Sequence, residues 1–415
     1  MAESKNKILV NGPVVCFRLE GYVNSVKKVI YLFGDNHSST SDQTKCPTHK
    51  SRDFVQYFAK TMSKTNKKTN YDLFFETHEP NKETSGDNDI RKDKYIHEFV
   101  KYFKSTINIV NKDDKNDKND NKTKSKNIGS KEEPNLRLHH IDTRTSYTYL
   151  ISSVVSELRY FKNNIIGNQH IDKYSAEQMV YFLNKLKIYT QNTLSFILNE
   201  DFVKDDSNEN NDNIKQLYLI DKTIAKKVLG EYHNQNIKNI LINETKIINI
   251  VRMYKENLLK ECDKLNEIVE RHYNIFQSSY KKISVSKSGV GYGMDFSYIM
   301  NSILEISESV DIICNCALMS HTFVMDMYFL RRFLDKDYIT NTIAYTGWLH
   351  TFHYLFMLIK YFDFKITHTS HLEMKPNEIE KMIKNNEYSN YLVAKYMPAE
   401  LFQCVDMTDF PERFE

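Results

Sequence analysis

Val29-Ile30-Tyr31-Leu32-Phe33-Gly34-Asp35-Asn36-His37-Ser38-Ser39 is the stretch on which the reading of the chain turns. Five apolar or aromatic residues run into a polar, turn-forming segment. A short apolar run closed by glycine is the pattern of a buried strand. The Gly-x-x-His at its end sets an imidazole at the carboxyl end of a sheet, where open α/β sheets bind ligands. A strand that only had to pack would need no such ending.

The device recurs. Asn341–Thr346 is a second apolar run, followed by Gly347-Trp348-Leu349-His350 and a helix over 349–361. One Gly-x-x-His carries almost no information, and a single strand-end histidine is usually structural. Two copies in the same strand–turn–helix setting, in a chain with only 11 glycines, say more. Tyr71–Glu76 and Leu136–Ile141 are further strands, ending at Glu76 and at Asp142-Thr143-Arg144. If β-α-β connections make these strands parallel, His37, Glu76, Asp142 and His350 line one edge of the sheet. Two imidazoles with one or two carboxylates suit a divalent transition metal (Zn, Mn or Co) with an open position for water. The metal ligands would be His37, Glu76 and His350, and such a metal brings the pKa of bound water to about 7. Without metal, a carboxylate-oriented histidine is the general base for the same water. Either route is hydrolysis, with His37, Glu76 and His350 as its catalytic residues.

Other residues have supporting roles in this reading. Gly34 and Gly347 are the turn glycines, and Asp35 lies between strand and histidine. Asp142 and Arg144 either serve the site or pair with each other to hold their loop, and Glu76 has the plainer option of capping a turn. His353 follows His350 by one helical turn. Asp326 sits in an apolar helical stripe and needs a partner: Arg332, Arg144 or a catalytic histidine. His78, His139 and His140 read as structural.

The 415 residues include 40% hydrophobic and 13% aromatic residues, which makes the chain globular. A net charge of +3 gives no argument for nucleic acid or an anionic membrane. The expected class is α/β: a mostly parallel central sheet flanked by helices, with a large α-helical insertion between the third and fourth core strands. Residues 1–145 are the first part of the core, with a low-complexity, disordered insertion at 111–133. Residues 146–334 are a helical insertion or cap, through which the chain could form homo-oligomers, and 335–415 complete the core and tail. Pro13–Tyr22 is a first strand at an edge, paired with Lys28–Phe33. The six scattered cysteines read as free thiols of a reducing compartment. Val310–Leu330 and Thr342–Phe362 approach membrane length but carry charged or histidine side chains, so they read as buried elements. Met1–Lys7 is polar and lacks an apolar signal core. The expectation is a soluble, intracellular (cytoplasmic) protein.

Gly34–His37, a strand-terminal Glu76 and Gly347–His350 together resemble the layout of the erythromycin esterase, ChaN and TIKI/TraB superfamily. The resemblance covers 28–145 and 335–370. It implies a hydrolase-like site on an ester or amide of a small molecule or peptide, metal-dependent in TIKI-type proteases. ChaN-like members bind haem, so the resemblance also allows a non-enzymatic haem-binding or interaction protein. A third reading, a calcineurin-like metallophosphoesterase, takes Asp35-Asn36-His37 as its opening Asp-x-His, but Gly86-Asp87-Asn88-Asp89 has the wrong spacing for the next motif. The composition and low-complexity insertion also resemble proteins of large DNA viruses and AT-rich protists.

Overall fold

In the computed structural model, Val26–Asp35 is a strand, β3, whose side chains alternate between two layers. Val29, Tyr31 and Phe33 enter one apolar core, while Lys28, Ile30 and Leu32 face the opposite side. The structure describes residues 7–42, 46–47, 51–66, 68–77, 96, 98–99, 102, 127–128, 135–142, 147–168, 171–198, 226, 228–230, 232–285, 296–370, 374–386 and 403–414. The expected helix at 92–105 and the insertion at 111–133 fall mostly outside these residues.

β3 belongs to a seven-stranded sheet. Its other strands are β2 (Val15–Val23), β5 (Asn70–Phe75), β6 (Asn127–Ile128), β7 (Asn135–His140), β8 (Asn341–Gly347) and β9 (Lys365–Thr369). The order is β6-β7-β5-β8-β3-β2-β9. The four central strands β7, β5, β8 and β3 run parallel, so their carboxyl ends share one edge. β2 and β3 form an antiparallel hairpin whose turn residues Asn24 and Ser25 both have positive φ, at 51° and 66°. Two successive positive φ values are the type I′ signature, matched to strand twist. β2 is not the edge strand expected from sequence: β9 pairs with its outer side, also antiparallel. A second sheet, β10-β1-β4, joins Cys404–Asp406, Leu9–Asn11 and Arg52–Asp53.

Helix α1 (Phe54–Ser63) covers one face of the large sheet. Phe54, Tyr57, Phe58 and Met62 pack there with Tyr31, Phe33, Phe75 and Tyr345, joined by Val405, Met407, Phe410 and Phe414 of the C-terminal segment. The other face carries α7 (Trp348–Phe362), with Phe352 edge-on to Phe17 at 5.9 Å. The end of α6 (Phe296–Asp335) packs there too, with Phe329 against Phe74 at 5.0 Å and Tyr354 at 4.1 Å. α8 (Pro376–Asn385) opens with proline at its first position, where the missing N–H costs nothing.

The chain divides into two compact units. The sheet unit is 1–142, 233–240 and 328–415. Its middle segment holds the short helix α4 (Gln235–Asn239), and the His233 and Asn234 N–H groups donate to Asp335 at 2.9 and 2.8 Å. The helical unit is 143–232 and 241–327. It contains α2 (Tyr147–Asn168), α3 (Lys173–Leu198), α5 (Ile247–Val285) and the first part of α6. On α5, Val251, Tyr254, Leu258, Cys262, Leu265 and Val269 recur at three- and four-residue spacing and are all buried, which is the stripe of an amphipathic helix.

The cysteine reading is corrected. Cys46 and Cys404 form a disulfide across a separation of 358 residues. No local spacing announces it: β1–β10 pairing sets Cys404 opposite Asn11, and the Asn11 side chain accepts the Cys46 N–H at 3.0 Å. Cys16, Cys262, Cys314 and Cys316 are free and buried.

Lys28 is fully buried, and its ammonium donates to the carbonyls of Phe333, Lys336 and Ile339 at 3.0, 2.8 and 2.6 Å. These are carbonyls at and just beyond the last turn of α6, which lack helical partners. Burial pulls the lysine pKa down to about 8, against the acidic Asp337, Asp72 and Asp335 nearby. Lys28→Met is expected to destabilise the sheet unit by about 3 kcal/mol, since charge-assisted bonds vanish and the carbonyls stay buried. Urea unfolding followed by the fluorescence of Trp348 would measure it.

Candidate functional site

The carboxyl ends of β3, β5 and β8 bring together three of the residues singled out in the sequence. Glu76 follows β5, with its backbone N–H on the Tyr345 carbonyl of β8 at 3.3 Å. His37 Nε2 lies 3.1 Å from Glu76 Oε2, and His350 Nε2 lies 3.4 Å from Glu76 Oε1. The Gly347 N–H, at the N-cap of α7, donates to Glu76 Oε2 at 2.7 Å. The carboxylate thus rests between two imidazoles and the positive end of a helix. Its side chain is 3% exposed and that of His350 6%, whereas His37 is 37% exposed. His37 is the member of the cluster that meets solvent.

Local backbone explains why these groups meet. His37 has φ 53°, a left-handed conformation unusual for a non-glycine residue. Its N–H donates to Asp35 Oδ1 at 2.6 Å, closing a tight turn straight off β3. Such backbone costs about 1–3 kcal/mol and persists where surrounding structure fixes it. Gly347 is not required by its φ of −55°. A Cβ there would lie 2.7 Å from His37 Nε2 and 3.3 Å from Glu76 Oε2. The glycine lets the start of α7 approach the carboxylate. Gly34 similarly admits Val15 and the first turn of α7, with Val15 Cγ1 2.9 Å from its would-be Cβ.

Electrostatics follow from this packing. Burial disfavours the Glu76 charge, but His350 and His37 outweigh it and hold its pKa well below the usual carboxylate range. An ionised carboxylate only accepts, so both Nε2 atoms carry their protons. For His37, burial acts against the charged ring, while Glu76 and Asp35 prevail and raise its pKa. Asp35, fully buried, is pushed upward by burial, partly opposed by His37 and the Tyr345 hydroxyl.

The remaining sequence candidates are distributed differently. Asp142 is buried at the end of β7, on the same sheet edge. His353 is buried on α7. Asp326 belongs to the helical unit and is fully buried there; Arg332 belongs to the sheet unit, where its charge helps depress the pKa of His139. Arg144 and His78 lie outside the described residues. His139 and Arg137 both engage the buried Asp72, at 2.7 Å and through two bonds of 2.8 and 2.5 Å, a structural ion cluster. Sequence reading missed one pair: the Thr77 hydroxyl lies 2.8 Å from His140 Nδ1. The hydroxyl next to Glu76 was the available signal.

His37, Glu76 and His350 are donors of the type a transition metal takes, but their geometry suits hydrogen bonding. Both Glu76 oxygens are already engaged, and among the described residues no group of three His, Cys, Asp or Glu is arranged to hold a metal ion.

The fold and this edge define an α/β protein with a His–Glu–His cluster at the carboxyl ends of its central strands. The chain belongs to DUF5847, a family of unknown function, whose model matches residues 8–415. It is similar to three proteins of Acanthamoeba polyphaga mimivirus. The uncharacterized proteins R161 and R706 are each 30% identical to it, over 99% of this chain and 99% and 98% of their own lengths. The uncharacterized protein R160 is 28% identical over 99% of this chain and 98% of its own. No solved structure matches. Among the described residues no helix is long and apolar enough to cross a membrane.

The His37–Glu76 contact ties stability to pH. Glu76 has its pKa lowered from 4.5, so its contribution is complete above that value and lost as pH falls toward the folded-state pKa. His37 has its pKa raised from 6.5, so its contribution is complete below that value and lost as pH rises through the folded-state pKa. The stability gap between wild type and Glu76→Gln should therefore be widest between pH 4.5 and 6.5 and narrow on both sides, as read from denaturation midpoints across pH. Gly347→Ala should lose about 1–3 kcal/mol by overpacking and shift the His37 imidazole resonances in NMR.

Proposed function

We propose that the chain is a hydrolase in which His37 activates water for attack on an ester or amide carbonyl. The observation that carries this reading is the buried, ionised Glu76 held by two imidazoles, of which only His37 is open to solvent. The His37 Nε2–H donates a hydrogen bond to Glu76, which leaves Nδ1 as the basic nitrogen. Glu76 also stabilises the imidazolium that forms when water gives up its proton. His350 and the Gly347 N–H fix the carboxylate. The same layout of two Gly-x-x-His turns and a strand-terminal glutamate supports a place near the erythromycin esterase, ChaN and TIKI/TraB proteins.

Hydrolysis of p-nitrophenyl acetate tests the reading. General-base catalysis contributes about 10²–10⁴-fold, so His37→Ala and Glu76→Gln should each lower kcat by at least about a hundredfold. Because the working base is neutral His37, the rate should rise with pH through a pKa above 6.5. Glu76→Gln should move that limb to lower pH. Activity that survives chelator dialysis supports the histidine route; loss restored by Zn, Mn or Co would support metal at the same three residues. Equal rates for wild type and His37→Ala would refute a hydrolytic role for this site.

A further inference from the structure

We propose that Thr77 and His140 form a nucleophile–base pair, so that hydrolysis at this edge passes through an acyl-threonine ester. This rests on the hydrolase reading above. A hydroxyl becomes a useful nucleophile when a histidine nitrogen within about 2.6–3.2 Å accepts its proton. Thr77 Oγ1 and His140 Nδ1 are 2.8 Å apart. Thr77 is 9% exposed and His140 half-buried.

The backbone builds this contact. β5 and β7 pair in parallel with Phe75 opposite His140. Beyond Phe75 the chain turns sharply: the Thr77 N–H donates back to the Phe75 carbonyl at 2.8 Å, and the Ile141 N–H shares that carbonyl at 3.0 Å. This three-residue turn stops Thr77 from continuing the strand and directs it to the end of β7. The hydroxyl follows Glu76 by one residue, on the same sheet edge as His37.

The substrate class is a carboxylic ester. Thr77 Oγ bonds to the carbonyl carbon as its proton passes to His140 Nδ1. The carbon–oxygen bond to the leaving group then breaks, and the departing alkoxide takes the proton from His140. This leaves acyl-Thr77 and a free alcohol. Water, deprotonated by His37, adds to the acyl carbon. The carbon–Thr77 oxygen bond breaks, the hydroxyl regains a proton from His37, and the carboxylic acid leaves. No oxidant or further co-reactant is needed.

Incubating the wild type with p-nitrophenyl acetate, quenching in acid and mapping peptides by mass tests the proposal. One acetyl group is expected on Thr77, accumulating in His37→Ala, where its removal is slowed. Thr77→Ser should be acetylated, Thr77→Val should not, and His140→Gln should be acetylated at least tenfold more slowly. Circular dichroism checks that each variant folds. Absence of acetyl-Thr77 in the wild type and in His37→Ala overturns the proposal, as does acetylation of His140→Gln at the wild-type rate. If hydrolysis remains dependent on His37 in those cases, water attacks directly and the hydrolase reading stands. If hydrolysis is absent as well, both fall.

Discussion

The Glu76 carboxylate is a buried charge, and a buried charge that lacks partners is untenable. Its requirement organises the carboxyl edge of the sheet. One oxygen takes the His350 imidazole; the other takes the His37 imidazole and the Gly347 N–H. These partners come from the turn after β3 and the start of α7, and they meet at the end of β5, so three elements must be placed together. Pairing such a charge is weak evidence for net stability, because desolvation offsets much of the Coulombic gain. What the arrangement does provide is specificity of position, since only one placement of the three elements satisfies the carboxylate.

Position in turn explains the backbone peculiarities nearby. His37 is held in left-handed backbone because Asp35 takes its N–H and Glu76 takes its ring. Gly347 is bare because a side chain there would occupy the space of the His37 ring. The two Gly-x-x-His segments look alike in sequence, yet they work differently. The first is a strained turn that ends with an accessible imidazole. The second is a helix start whose imidazole is enclosed. A repeated motif has been used once for exposure and once for support.

Most of the sheet could be read from the sequence because its strands are buried on both faces and appear as unbroken apolar runs. Val29–Phe33, Leu73–Phe75 and Ile343–Tyr345 are examples, each ended by a polar or glycine residue. The shared edge followed from parallel connection, and with it the meeting of His37, Glu76 and His350. Other features were hidden for identifiable reasons. The pairing of Cys46 with Cys404 depends on a two-sheet arrangement that joins the chain's beginning to its end. β2 was misplaced at an edge because β9, its outer neighbour, arrives over three hundred residues later. The Thr77–His140 contact depends on the register of β5 against β7 and on the turn after Phe75, neither of which leaves a mark in composition.

The strand order has a consequence for how the protein is made. β3 and β5 are synthesised early but are not neighbours; β8, which begins at Asn341 well over two hundred residues beyond the end of β5 at Phe75, fills the gap between them. Until it emerges, the nascent chain holds two fragments, the β2–β3 hairpin and the β5–β7 pair, each with an unpaired inner edge. At about 5–20 residues per second, that interval lasts on the order of ten seconds or more. The helical segments emerge during the wait, and their largely local contacts let them form quickly. The open edges of β3 and β5 meanwhile need protection from other strands, by a chaperone or by low local concentration. The residue that completes the His–Glu–His cluster is thus delivered together with the strand that closes the sheet.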